Sequence, residues 1–265
     1  MKKSILITAV FGLLLAACGT NSNNSNQATI ATASTAQEAP LSFELLKDSL
    51  RDKMVEVDLE LLVAKGKGSA AINEAINQEL ASMLTMGAEN GANLRNYKDM
   101  FAYLQKAHKE SYEGQDVKEL GPSINWSFGF KMRNHYQSAG YLCMAFESYS
   151  FAGGAHPNSY NGYVSVDLAT GKVLKNTDLV DSAKVMPAVE AAFRTHWKAE
   201  LKGAKNYEEA GFMLSGNQLP LPAQIGINDK KAIFYYNPYE VGPYVMGPTV
   251  LEIPLEQLAG GLKVK

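Results

Sequence analysis

Two short stretches set residues with usable chemistry beside residues that shape the backbone. The first is Phe151-Ala152-Gly153-Gly154-Ala155-His156-Pro157-Asn158. Gly153 and Gly154 let the chain turn or approach a neighbour closely, and Pro157 biases His156 toward an extended conformation that fixes where its imidazole points. An imidazole titrates near neutral pH, so with a carboxylate such as Glu240 or Asp167 it could act as an acid/base or a metal ligand. The plainer reading is a bulge or turn whose histidine bonds to nearby backbone or a tyrosine. The second stretch is Asn237-Pro238-Tyr239-Glu240-Val241-Gly242-Pro243-Tyr244. Its prolines and glycine stiffen the chain, and Tyr235, Tyr236, Tyr239 and Tyr244 offer flat, amphipathic rings suited to a protein or glycan partner. Tyrosines closing the edge of a core would present the same pattern.

Other candidate chemistry reduces to structure. Glu56, Asp58 and Glu60 alternate on one strand face, whereas paired glycosidase carboxylates must come from facing elements across a cleft. Thr170-Gly171-Lys172 has the ending of a phosphate loop without its first glycine, which leaves a hairpin turn. His108, His135 and His196 follow no ligand spacing, so no metal site is expected, and no cofactor motif is present. The chain has 25 basic and 27 acidic side chains, without the basic stripe that nucleic acid requires.

The elements that must hold these loops are legible from periodicity. Val55 to Leu61 alternates apolar and acidic residues, the mark of a half-buried strand. Ser69 starts a helix with Ile72, Ile76, Leu80, Met83 and Leu84 on one side, bounded by Gly87 and Gly91. A second helix runs from about Tyr97 to Tyr112. Trp126, Phe128, Phe130 and Met132 mark a strand that forms an antiparallel hairpin with Tyr141 to Ser150. Tyr163 to Asp167 is another strand. A helix opens between Ser182 and Pro187 and carries Val189, Phe193 and Trp197. Ala232 to Tyr236 and Thr249 to Ile253 read as strands, and Pro254 opens a short helix stopped by Gly260-Gly261. Mixed elements without βαβ alternation give an α+β class, with an antiparallel sheet packed with helices in two intimately associated subdomains.

The amino terminus carries its own message. Lys2 and Lys3 precede an apolar run from Ile5 to Ala17, too short to span a bilayer and shaped like a secretory signal. Leu15-Ala16-Ala17-Cys18-Gly19 resembles the bacterial lipoprotein lipobox, which implies a signal peptide over 1–17, cleavage before Cys18 and acylation of its thiol. Loss of the two lysines takes the net charge from −2 to about −4. Residues 18–40 then comprise the lipidated cysteine and a flexible polar tether of roughly 25 Å typical reach. A lipid bilayer is the expected partner of Cys18, in the outer membrane if the source is Gram-negative, with the folded body in the periplasm or at the cell surface. Cys143, in the apolar run Tyr141 to Phe146, reads as a buried structural thiol.

Three motifs in order carry a wider resemblance: Gly153 to Asn158; Asp167-Leu168-Ala169-Thr170-Gly171-Lys172 with Asp178-Leu179; and Tyr236 to Tyr244 with Gly247 and Ile253-Pro254. Together they resemble the extracellular region of RsiV-type anti-sigma factors, which sense lysozyme, and the N-terminal region of PdaC-type peptidoglycan deacetylases. The resemblance implies a PdaC-N-terminal-like subdomain over 41–180 and an RsiV-C-terminal-like subdomain over 181–265. The chain lacks the family's sigma-binding segment, internal membrane helix and deacetylase metal motif. What remains is a non-catalytic, lipid-anchored envelope module that binds a lysozyme-like protein or peptidoglycan, with Gly153, Gly154, His156, Asn158, Tyr239, Glu240 and Tyr244 as the candidate ligand loops. The alternatives are an envelope hydrolase working through His156 and Glu240, and an assembly or scaffold lipoprotein.

Overall fold

A computed structural model describes residues 39–84, 96–116, 121–258 and 260–264. The expected signal peptide, Cys18 and most of the expected tether lie outside the described residues, as do Gly87 and Gly91. Among the described residues no helix is long and apolar enough to cross a membrane.

The first sheet has six strands in sequence order: β1 (Ser42–Arg51), β2 (Val55–Lys65), β3 (Trp126–Gln137), β4 (Tyr141–Phe151), β5 (Asn158–Asp167) and β6 (Lys172–Leu174). Between β2 and β3 run α1 (Ser69–Leu84) and α2 (Tyr97–Ser111). Alternation does the sorting. Val55, Val57, Leu59 and Leu61 of β2 are at most 3% exposed, and Trp126, Phe128, Phe130 and Met132 of β3 are buried beside them. Ile72, Ile76 and Leu80 of α1, with Met100 and Leu104 of α2, cover this face as one core. Asn96 caps α2, its side chain accepting from the Lys98 and Asp99 amides.

The opposite face is divided. Toward β1 and β2 it meets solvent: Asp58 pairs with Arg51 and Glu60 with Lys47, as expected of a wet strand face. Toward β4 and β5, Tyr141 and Cys143 enter a second core with α3 (Asn176–Leu179), α4 (Ser182–His196) and a three-stranded antiparallel sheet, β7 (Gln224–Ile227), β8 (Lys231–Tyr236) and β9 (Thr249–Pro254). Phe193 of α4 sits at its centre, with the rings of Phe212, Tyr207 and Tyr236 at 5.1, 5.5 and 6.1 Å.

The α+β class holds, but the large sheet is mixed: β2 and β3 run parallel, from Val55↔Trp126 to Glu60↔Lys131. The two-helix crossover between them makes a parallel return possible, whereas a hairpin connection would have made it antiparallel. Two strands carry no alternation to announce them. In β1 the apolar residues Phe43, Leu45, Leu46 and Leu50 straddle both faces of an edge strand, and β7 is four residues long. The fifth strand begins at Asn158 rather than Tyr163. Pro187 lies in the second turn of α4, not its first; its ring points to solvent from an exposed position.

Candidate functional site

Each of the two unusual stretches becomes a turn, and the turns meet. Ala152 to Pro157 links β4 to β5, with Gly153 and Gly154 at φ 84° and 92°, a left-handed conformation that favours glycine. Asn158 opens β5 opposite Ser150. The second turn leaves the end of β8. Asn237 is buried, and Tyr239 adopts φ 73° with its amide donating to the Gly242 carbonyl at 3.1 Å. A tyrosine in that region carries backbone strain of about 1 kcal/mol, which the surrounding turn must hold in place.

One carbonyl joins the two turns. The Pro157 oxygen accepts from the Tyr244 hydroxyl at 2.8 Å and from His156 Nδ1–H at 2.9 Å. Both donors converge on its two lone pairs, and the rings above lie nearly parallel, 3.9 Å between centroids and 17° apart. Tyr239 extends the group, 5.9 Å from Tyr244. It is 51% exposed, beside a loop that carries Val245 at 89%, and the Met213 amide donates to the Val241 carbonyl, which brings a further exposed apolar side chain to the same turn. The result is an aromatic platform with apolar flanks, unusual on a protein surface.

The four tyrosines divide. Tyr235 and Tyr236 belong to the core: the Tyr236 hydroxyl donates to the Pro220 carbonyl at 2.7 Å, and Tyr235 accepts from the Asn161 side chain at 2.6 Å. Tyr239 and Tyr244 alone face outward from this stretch. Glu240 has a different task from the one an acid/base pair would give it. Its carboxylate accepts from the Ala223 amide and the Asn237 side chain, both at 3.4 Å, and among the described residues no hydrogen bond or ion pair joins it to His156. Asp167 likewise caps its own turn, accepting from the Ala169 and Thr170 amides; these backbone bonds hold its carboxyl below the usual range. No group of three or more metal-binding side chains occurs among the described residues. Cys143 is fully buried, and burial pushes its thiol up.

Beneath the platform the two sheets are locked by amide side chains, a feature the sequence does not announce. The short β6 pairs only with Ser165 to Asp167, leaving the first half of β5 without a strand on that side. Asn237 fills the gap: its Oδ1 accepts from the Asn161 amide at 2.8 Å and its Nδ2 donates to the Asn161 carbonyl at 2.9 Å. Gln224 does the same for the Tyr163 amide at 2.8 Å and donates to the Tyr160 hydroxyl at 2.9 Å. Gly162 and Gly226 make the approach possible. A Cβ on Gly162 would stand 2.6 Å from Oε1 of Gln224, and one on Gly226 would stand 2.4 Å from the Tyr163 ring.

Comparison with known proteins follows the same division. The family described as deacetylase PdaC matches residues 49–159, and the family described as a protein of unknown function, DUF3298, matches residues 177–256. A DUF3298 family member from Bacteroides fragilis is 19% identical with a TM-score of 0.61, covering 85% of this chain and 94% of that one. A DUF3298 family protein from Pseudomonas aeruginosa PAO1 is also 19% identical, with a TM-score of 0.58 and coverage of 85% and 95%. At that identity the likeness is one of fold. A comparison with curated proteins gave no match. The two family matches stand in order along one chain, and its structural neighbours, both DUF3298 family proteins, share its fold.

Proposed function

We propose that this protein is a non-catalytic, lipid-anchored module of the cell envelope that binds a protein ligand, a lysozyme-like enzyme first, or a peptidoglycan fragment, through the platform of His156, Tyr244 and Tyr239. The observation that carries the reading is the convergence of those three rings on one face, tied at the Pro157 carbonyl and flanked by exposed Val245 and Met213. Rigid aromatic side chains bury much area at little conformational cost, which is why they dominate binding energy where they occur at interfaces. A mildly acidic body also suits a cationic partner. The His156 imidazole, stacked and bonded to backbone, is held as a surface rather than poised toward a carboxylate. Cys18, in its lipobox-like setting, supplies the anchor.

Titration of the full chain with purified lysozymes and with peptidoglycan fragments tests the reading. Saturable binding to one class at tens of micromolar or tighter is expected, weakened at least about tenfold by Tyr239→Ala, an exposed position whose truncation leaves the fold intact. No saturable binding to either class sinks the proposal. The anchor is checked separately: Cys18→Ala should release the protein from membranes.

A further inference from the structure

The six-stranded sheet is split at one end. The β2–β3 ladder stops at Glu60↔Lys131, yet β2 continues to Lys65 with β1 as its strand neighbour and β3 continues to Gln137 with β4 as its neighbour. The two strand pairs diverge around a cavity of about 510 Å³. Its lining is apolar at Leu142 and Met144 of β4, Leu62 of β2 and Phe43 of β1, and polar at Asn134 and Gln137 of β3. The volume lies within the range of sites that bind small ligands or short peptide segments.

What the walls offer is main chain as well as apolar side chain. At Ala64 the groups of β2 that face the split are already claimed: Asn73 of α1 accepts from its amide at 2.8 Å and donates to its carbonyl at 2.9 Å. The two-residue period of a strand turns the amide and carbonyl of Leu62 to the same side, where the ladder gives them no neighbouring strand. Beyond Lys131, β3 likewise runs on to Gln137 with β4 as its one ladder partner among the described residues. A lipid chain could cover apolar lining but could not satisfy two strand edges. An extended peptide does both, since its main chain repeats donors and acceptors at strand spacing while alternate side chains lie against the apolar lining.

We propose that this split is a strand-receiving groove that takes an extended peptide segment with alternating apolar side chains, lying against β3 from Arg133 to Gln137 and against β2 at Leu62. It is a second binding surface, independent of the aromatic platform.

The test uses the full chain labelled with ¹⁵N and a blocked hexapeptide of alternating Thr and Val as probe. The amides of Leu62, Val63 and Arg133 to Gln137 should shift together on titration, and their hydrogen exchange should slow at least about tenfold at saturation. The same peptide with alternate amides N-methylated should bind at least about tenfold more weakly, because it has lost the donors that the edges need. Gln137→Trp, an exposed rim position that tolerates a larger side chain, should block the mouth and abolish the shifts while the thermal midpoint holds. The proposal is overturned if the shifts map elsewhere or are absent at millimolar peptide. It is equally overturned if the N-methylated peptide binds as well as the parent, or if palmitate alone produces the shifts and the peptide does not.

Discussion

Within the large sheet, two stretches of interior strand lack a strand neighbour among the described residues, and the protein treats them in opposite ways. On the first half of β5, where β6 is too short to reach, the buried amides of Asn237 and Gln224 stand in for a strand, and Gly162 and Gly226 bring the second sheet close enough for them to do so. At the split between β2 and β3, Asn73 makes the same pair of bonds to Ala64, and among the described residues no strand continues it across the cavity. The chemistry of one amide against one residue's main chain is identical. What differs is what lies behind it: Asn237 is 3% exposed and backed by the second core, whereas Asn73 is half-buried near the start of α1. A missing strand becomes a joint where a second core presses on it, and a groove where none does.

Removing the amide that closes the joint should therefore have the larger effect. Asn237→Ala leaves the amide and carbonyl of Asn161 without partners at a site closed to water, a loss of about 2 to 3 kcal/mol in urea unfolding. The Asn161 amide should exchange faster, since its protection rests on that side chain. A loss below about 1 kcal/mol would show that water replaces the amide and that the two sheets are not locked there. Asn73→Ala removes the same pair of bonds but from a half-buried side chain, whose truncation lets water follow it in, so the expected loss is only about 0.5 to 1 kcal/mol, with exchange faster at Ala64. Equal losses at the two positions would break the comparison, because they would mean that the groove is as closed as the joint.

The sequence disclosed one side of this contrast better than the other. Strands with one buried face were legible: β2 and β3 alternate because Val57 and Phe128 must go inward while Asp58 and Lys131 stay wet. Their parallel pairing was not, since alternation says which face is buried and nothing of which strand lies alongside. The loops announced themselves through Gly153, Gly154, Pro157, Pro238 and Pro243, but their meeting depends on the Pro157 carbonyl, far in sequence from Tyr244. Tyr235 and Tyr236 could not be told from Tyr239 and Tyr244 by type, because β8 is buried along nearly its whole length and its end carries the same residue into the turn. Asn237 and Gln224 were invisible for a related reason: a buried amide and a solvated one look alike until their partners are placed.

The smallest effect expected comes from the residue that stands between joint and groove. His135 occupies the bulge where the β3–β4 register shifts between Asn134 and Tyr136, one residue from the groove's rim. Its ring lies edge-on to Tyr163 at 5.4 Å, and its buried Nε2 has no hydrogen-bond partner among the described residues. Burial first, then Arg133 on its own strand and Lys231 of the second sheet, hold its pKa below the usual histidine value, with Glu252 opposing. The folded state thus disfavours the protonated ring. Above the ordinary histidine pKa of about 6.5 the ring is neutral in both states and contributes nothing to the pH dependence. As pH falls below it the unfolded chain binds the proton first, so stability is lost from there downward until the folded ring also titrates. His135→Phe keeps a ring against Tyr163 and removes the titration, so its thermal midpoint should fall less than that of the parent between pH 7 and pH 5. Parallel midpoint curves for the two proteins would mean that the bulge is already open to water, and the joint would then end before β3 rather than at it.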